Sequence, residues 1–346
     1  MATPQFGLIA WKMAGAACAI AVLVGASATM SEEARHDRAY WKEQYRRPAE
    51  IPFPEDNPYS EAKSKLGRML FFDPILSGSK VRSCATCHNP ALSWGDGKSR
   101  AIGEAKLPLR TPTVLNVAWV PKPGWDGHFR DLEAVAFGPI TSVTNMNLPE
   151  PVLIERLSAI SGYREAFQLA FGKPDITRRN VELALATYER SIVSGEAPFD
   201  RWIKGDETAI SATAMRGFDL FNGKAHCESC HSGWTFTDSS FHDIGTAKKN
   251  DIGRGRLFPT SAKLRYAFKT PTLRDVARRA PYMHDGSVAT LEAVIDLYNR
   301  GGIERPSRSE LIKPLALDKN EKADLIAFLR TLNEAPATVS FPTLPR

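Results

Sequence analysis

Cys84-Ala85-Thr86-Cys87-His88 and Cys227-Glu228-Ser229-Cys230-His231 are two copies of one pentad, C-x-x-C-H. The pattern is the attachment site of a c-type haem. Its two thiols add across the haem vinyl groups, and the adjoining histidine takes the iron from the proximal side. A zinc site or a disulfide would also use paired cysteines. Two copies that consume four of the five cysteines favour haem over both. The pattern implies two covalently bound haem c groups. One is held at Cys84, Cys87 and His88, the other at Cys227, Cys230 and His231, with His88 and His231 as iron ligands. Redox chemistry is the function class.

The segments around the pentads repeat as well. Gly67, Leu70 and Phe71 precede the first pentad, and Gly217, Leu220 and Phe221 precede the second with the same mutual spacing. Ser60 and Ser211 read as helix starts, which puts an amphipathic helix before each pentad. Beyond the pentads the match resumes. Thr111-Pro112-Thr113, Val117-Ala118, Asp126-Gly127 and Leu132-Glu133-Ala134-Val135 return as Thr270-Pro271-Thr272, Val276-Ala277, Asp285-Gly286 and Leu291-Glu292-Ala293-Val294, all at an offset of 159 residues. Unrelated segments rarely hold one register over so many positions. The expected fold is therefore mainly α: two tandem cytochrome c-like haem domains with long loops.

Residues 177–193 predict a helix with Val181, Leu185, Tyr188 and Ile192 on one face. Gly195, Pro198 and Gly205 punctuate the chain after it, which places the junction near residues 194–206. The expected organisation is a first, N-terminal domain over 59–205 and a second over 206–335. A charged, Pro-rich lead over 31–58 precedes them. Residues 32–47 read as helical, and Pro48, Pro52, Pro54 and Pro58 do not continue the helix. Strand signals are weak throughout.

Hydrophobic residues make up 43% and charged residues 24% of the 346 positions, the balance of a folded globular chain long enough for two domains. A net charge of +6 without a basic, aromatic-interleaved run speaks against nucleic acid as a partner. Residues 13–30 form an apolar run between Lys12 and Ser31-Glu32-Glu33. That is the layout of a secretory signal, with Ala26-Ser27-Ala28 as its cleavage site. The run is also nearly long enough to span a bilayer, so residues 1–30 read as a signal peptide or an N-terminal anchor. A membrane is a partner only if the segment stays uncleaved. Cys18 lies within the run and is a poor lipoprotein cysteine, because Gly15 stands where a larger aliphatic is expected. Export to the periplasm agrees with the pentads, since c-type haem is attached outside the cytoplasm in bacteria.

The distal side of each iron decides between electron transfer and reaction with a small oxidant. In residues 89–147 the only histidine is His128 and the only methionine is Met146. His128 stands beside a turn, where a surface histidine is the plainer reading. The first iron thus reads as five-coordinate and open to peroxide. For the second iron His242, Met283, His284 and Tyr298 are all candidates. Leu291, Val294, Ile295 and Tyr298 share a helical face, which by spacing alone makes Tyr298 a core tyrosine. His284 occupies the repeat position of Trp125 and reads as a hydrogen-bonding group of the haem pocket. Spacing does not choose among the four.

Trp125-Asp126-Gly127, Gly138-Pro139, Pro198-Phe199-Asp200-Arg201 and Pro281-Tyr282-Met283-His284-Asp285-Gly286, taken with the two pentads, resemble the bacterial di-haem cytochrome c peroxidase/MauG superfamily. The resemblance runs from about residue 57 to about residue 332. It implies that the N-terminal haem meets hydrogen peroxide and the C-terminal haem relays electrons. The partner would be an electron-donor protein or an oxidisable protein substrate. Trp125 matches a tryptophan between the haems that carries charge, against the commoner role of a core anchor. Trp119, Trp202 and Trp234 are further aromatic stations, with a structural role as the plainer reading. Tyr298 matches the distal ligand of the second haem, where classical peroxidases carry methionine. A phenolate favours ferric and higher oxidation states, which tilts the reading toward the MauG branch.

Two departures stand against the resemblance. The glutamine and glutamate of the family's peroxidatic pocket are Val135 and Asn145 here. A distal carboxylate shuttles the proton that lets the peroxide bond break, and neither residue does that. Glu133 and Asp131 lie nearby in sequence, so the catalytic set reads as Trp125, Asn145 and Glu133. The resemblance also brings a calcium ion between the domains, although Arg110 stands where an asparagine ligand is expected. The missing carboxylate supports an alternative reading, a di-haem electron-transfer cytochrome without peroxidase activity. A gas sensor would share the open iron but finds no output domain in this chain.

Overall fold

The computed structural model describes residues 38–248, 250–335 and 339–346. The apolar run with its cleavage site and Cys18 lies outside them. α1 (Arg38–Gln44) belongs to the lead. α2 (Glu61–Phe72) runs toward the first pentad, which itself forms α3 (Cys84–Cys87). α4 (Leu132–Thr141), α5 (Glu150–Ala159), α6 (Ser161–Phe171) and α7 (Arg178–Arg190) follow. α8 (Pro198–Ile203), α9 (Ala212–Asn222), α10 (Leu291–Asn299) and α11 (Lys319–Arg330) build the second half. The one ladder among the described residues pairs β1 (Phe241–His242) antiparallel with β2 (Phe268–Lys269), in keeping with the weak strand signals. No described helix is long and apolar enough to cross a membrane.

The caps fall where the sequence places them. Ser60 Oγ accepts from Lys63 N and Ser211 Oγ from Ala214 N, each at 3.1 Å. Thr177 Oγ1 accepts from Asn180 N at 3.2 Å and opens α7. α7 ends at Arg190, earlier than the expected 193, with Ser191 as its C-cap and Ser191 Oγ donating to Tyr188 O at 2.6 Å.

α2 packs on α7, and α9 on α11. Both crossings bring backbone against backbone at a glycine. A Cβ on Gly67 would lie 1.9 Å from Ala184 O, and one on Gly217 would lie 2.0 Å from Asp324 O. Two cores grow around these pairs. The first gathers Leu66, Leu70, Phe71, Phe137, Leu185 and Tyr188. The second gathers Phe199, Trp202, Phe218, Phe221, Phe236 and Phe328. The fold is mainly α, with two tandem cytochrome c-like domains.

Two packing details bear on the expected organisation. Phe199, Trp202 and Ile203 of α8 pack in the second core, so that core starts ahead of residue 206. The punctuation from Gly195 to Gly205 brackets a short helix with a buried face. Nor does the lead stand apart. Tyr45 is buried in the second core and stacks on Phe236, ring centroids 4.6 Å apart. Arg47 donates to the carbonyls of Ser194 and Gly195 and reaches Asp200 at 3.3 Å, which fastens the lead to the junction.

Overpacking a tight contact costs roughly 1–3 kcal/mol, occasionally more. Gly217→Ala is expected to lower the unfolding free energy by about 3 kcal/mol in a denaturant titration.

Candidate active site

One cavity of about 1130 Å³ is lined by both pentads, with Trp125, Asn145, His284 and Tyr298 also in its wall. The proximal sides of the pentads are built alike. His88 Nδ1–H donates to Trp94 O at 3.3 Å, and His231 Nδ1–H donates to Phe236 O at 2.9 Å. Each bond fixes the tautomer and leaves Nε2 as the free lone pair of a cavity-lining imidazole. Trp94 and Phe236 both adopt left-handed backbone, φ +60° and +54°. That conformation costs roughly 1–2 kcal/mol per non-glycine residue. Burial holds both imidazoles below the ordinary histidine range, so they stay neutral and ligand-ready. It also pushes the thiols of Cys84, Cys87 and Cys227 up, which disfavours the thiolates a zinc site needs. None of the four described cysteines is in a disulfide. The donor set fits haem c and fits zinc poorly.

α4 and the segment after it also contribute to the cavity wall. Leu132, Val135, Ala136, Pro139, Asn145 and Met146 line it. Asn145 is pinned through its backbone, whose carbonyl accepts from Glu104 N at 2.8 Å. His128 lies at the rim. Its side chain is 46% exposed and its Nδ1 is 2.6 Å from Asp126 Oδ1, a hydrogen bond between neighbours in the turn.

At the second pentad all four distal candidates line the cavity, each in different surroundings. His242 Nε2 is 3.0 Å from Asp238 Oδ2, and its imidazole is raised to about 9 by its hydrogen bonds to Asp238 and to Cys230. His284 is buried and stacked flat on Phe268, centroids 3.7 Å apart. Its Nε2 lies 3.1 Å from Asp251 Oδ2, off the hydrogen-bonding direction. Met283 lines the cavity with left-handed backbone, φ +71°. Tyr298, on α10, lines the cavity and makes no side-chain hydrogen bond among the described residues. Burial, with Cys230 and Cys227 nearby, pushes its hydroxyl up. The repeat offset carries Tyr298 onto Pro139 of α4 (298 less 159), a residue without a ligating atom.

Comparison with known proteins bears on this arrangement. The family described as di-haem cytochrome c peroxidase matches residues 61–208. The methylamine utilization protein MauG of Methylorubrum extorquens is 51% identical over 98% of this chain and 98% of its own length. The chain belongs to the di-haem cytochrome c peroxidase/MauG family. The MauG of Methylophilus methylotrophus is 45% identical over 88% of this chain and 92% of its own. A solved MauG-like protein associated with microbial copper homeostasis superposes with a TM-score of 0.78 at 31% identity, covering 83% of this chain and 95% of the other. As a member of the family, the chain is a di-haem c oxidoreductase, with the MauG branch best matched.

Val135 and Asn145 line the cavity, whereas the nearby carboxylates named as stand-ins do not. Glu133 does not line the cavity; its carboxylate is turned into the fold. It is paired to Arg190 at 2.5 and 2.8 Å and accepts from Asn57 Nδ2 at 2.8 Å. These partners hold the carboxyl below its usual range. Asp131 is spent capping α4, accepting from Ala134 N at 2.8 Å. The carboxyl of α7 that does line the cavity is Glu189, which burial raises to about 8. Its sequence signal is a charged residue on the buried side of an amphipathic helix. Trp125 is in place, its Nε1–H donating to Arg110 O at 2.9 Å. Trp119 and Trp234 meet edge to face at 4.6 Å outside the cavity, and Trp202 is buried in the second core. For calcium, the one cluster of metal-ligating side chains among the described residues is Cys230, Asp238 and His242, which holds a pentad cysteine and a single carboxylate.

Removing one partner of a buried ion pair costs about 3–5 kcal/mol. Glu133→Ala is expected to lose about that much stability in denaturant unfolding, and the rate of reaction with peroxide is expected to hold once the protein is folded.

Proposed function

We propose that the chain is a periplasmic di-haem enzyme of the MauG branch, reacting with hydrogen peroxide at its N-terminal pentad and exchanging electrons with a protein partner. Cys84, Cys87 and His88 would hold the first haem, and Cys227, Cys230 and His231 the second, with Tyr298 as the further side chain of this cavity that could ligate the second. Bound there, haem supplies one-electron chemistry and an iron that takes peroxide. The overall change is the uptake of two electrons and two protons by hydrogen peroxide, which leaves as two waters.

The observation that carries this reading is the asymmetry between the ends of one cavity: Tyr298 at the second pentad and Pro139 at the equivalent place of the first. Pro139 and Val135 leave room for a small oxidant at the first end. Asn145 is the side chain there that can orient it by a hydrogen bond, worth about 1 kcal/mol. Tyr298 closes the second end to small molecules. Trp125 lies in the wall between the ends and is the relay. The likeness to methylamine utilization proteins favours an oxidisable protein as the partner. Residues 1–30 serve as export signal or anchor.

Adding one equivalent of hydrogen peroxide to the diferric protein is expected to shift its absorption promptly to a long-lived oxidised state. An unchanged spectrum, with both irons low-spin at the start, would overturn the proposal in favour of an electron-transfer cytochrome.

Tyr298→Phe removes the ligating oxygen and keeps the ring. Electron paramagnetic resonance of the ferric variant is expected to show two high-spin irons where the parent shows one, with both haems still attached.

A further inference from the structure

Seven buried side-chain polar atoms find no hydrogen-bond partner among the described residues. Four of them belong to cavity-lining residues: Arg110 Nε, Lys269 Nζ, Arg279 Nε and His284 Nε2. Buried donors in folded proteins are nearly always satisfied, so each such atom points to a missing partner. Arg110 is 8% exposed and Lys269 is 9% exposed. A cation kept that far from water without an anion is strongly disfavoured. Burial lowers the pKa of both, and in the protein alone it brings Lys269, beside Arg254, down to about 8.

The carboxylates near them are engaged elsewhere. Asp96, which faces Arg110, accepts from Thr111 Oγ1 and Lys98 N. Asp238 and Asp126, which face Lys269, are paired with His242 and His128. Tyr282, also near Arg110, donates its hydroxyl to Val276 O. Arg254 and Lys122 add positive charge around Lys269. The missing anions must come from what fills the cavity.

Arg110 and Lys269 are also one residue seen twice. They are 159 positions apart, the offset that relates Thr111-Pro112-Thr113 to Thr270-Pro271-Thr272, and each immediately precedes its Thr-Pro-Thr. Their backbones hold Trp125 from two sides. Trp125 Nε1–H donates to Arg110 O at 2.9 Å, and Lys269 N–H donates to Trp125 O at 2.8 Å. A haem c bears two propionate carboxylates. We propose that Arg110 and Lys269 are repeat-related counter-ions for haem propionates, one on each side of Trp125. The inference rests on the haem assignment above.

The pairing has a consequence for the tryptophan. Two bare cations beside an indole oppose the loss of an electron from it. Cations neutralised by carboxylates do not. The same pairing keeps the propionates ionised, because an adjacent positive charge lowers a carboxyl pKa.

The test is a redox titration of each haem at several pH values in the di-haem holoproteins Arg110→Gln and Lys269→Met. Arg110→Lys and Lys269→Arg serve as charge-retaining partners. The parent and the charge-retaining variants are expected to hold potentials that vary little with pH from acid to neutral. In the neutral variants at least one haem is expected to shift to more negative potential and to become pH-dependent, as an unpaired propionate takes up a proton. No shift, or a shift independent of pH, in both neutral variants would overturn the proposal. Should one neutral variant fail to load haem, the other decides. Potentials are read without peroxide, so the result stands apart from whether the protein reacts with peroxide.

Discussion

Two helix pairs touch backbone to backbone, α2 on α7 at Gly67 and α9 on α11 at Gly217, and each pentad takes its position from that contact. Any side chain at either glycine would hold the helices apart. With the crossing closed, α2 and α9 deliver Phe71 and Phe221 into the two cores and release the chain toward its cysteines. The helices on the far side of each crossing do a second job. α7 brings Glu189 to the cavity and Arg190 to Glu133, while α11 closes the second core through Phe328. The interior left between the cores is then lined from both halves, which is why a single cavity carries both pentads and Trp125.

Ion pairs hold the parts that helix packing does not. Asp200 receives Arg274 at 2.9 Å and Arg47 at 3.3 Å, tying the second core, the junction and the lead together. Arg274 is fully buried, so its desolvation is offset only while Asp200 stays in place. Asn57, also fully buried, receives Lys63 Nζ at 2.9 Å and donates to Glu133. Charged residues therefore serve as internal fasteners.

The fold was largely legible because it is local and repeated. Serine caps, helix spacing, glycine positions and a constant offset are all properties of neighbouring residues, and the structure keeps them. The pentads announce their cofactor by their own spacing. Other features depend on which way a side chain turns, and spacing does not carry that. Glu133 lies beside the peroxidatic motif in sequence, yet its side chain points at Arg190. α8 is too short to show a period, so its buried face was hidden among punctuating residues. The lead reads as charged and Pro-rich, but one stacked ring at Tyr45 and one guanidinium at Arg47 bind it to the second half. Arg110 and Lys269 were available from the offset alone; their burial was not.

The left-handed residues Trp94 and Phe236 each hold out a carbonyl to the imidazole of their own half. A duplicated chain can drift apart wherever drift is tolerated. Here a carbonyl–imidazole bond from a left-handed residue is present in both halves, six residues past His88 and five past His231, while the repeat offset sets proline in one half against tyrosine in the other. The two halves therefore share a kind of mount and differ in the residues set against it. Division of labour in this molecule is a matter of what was allowed to change opposite an inherited mount.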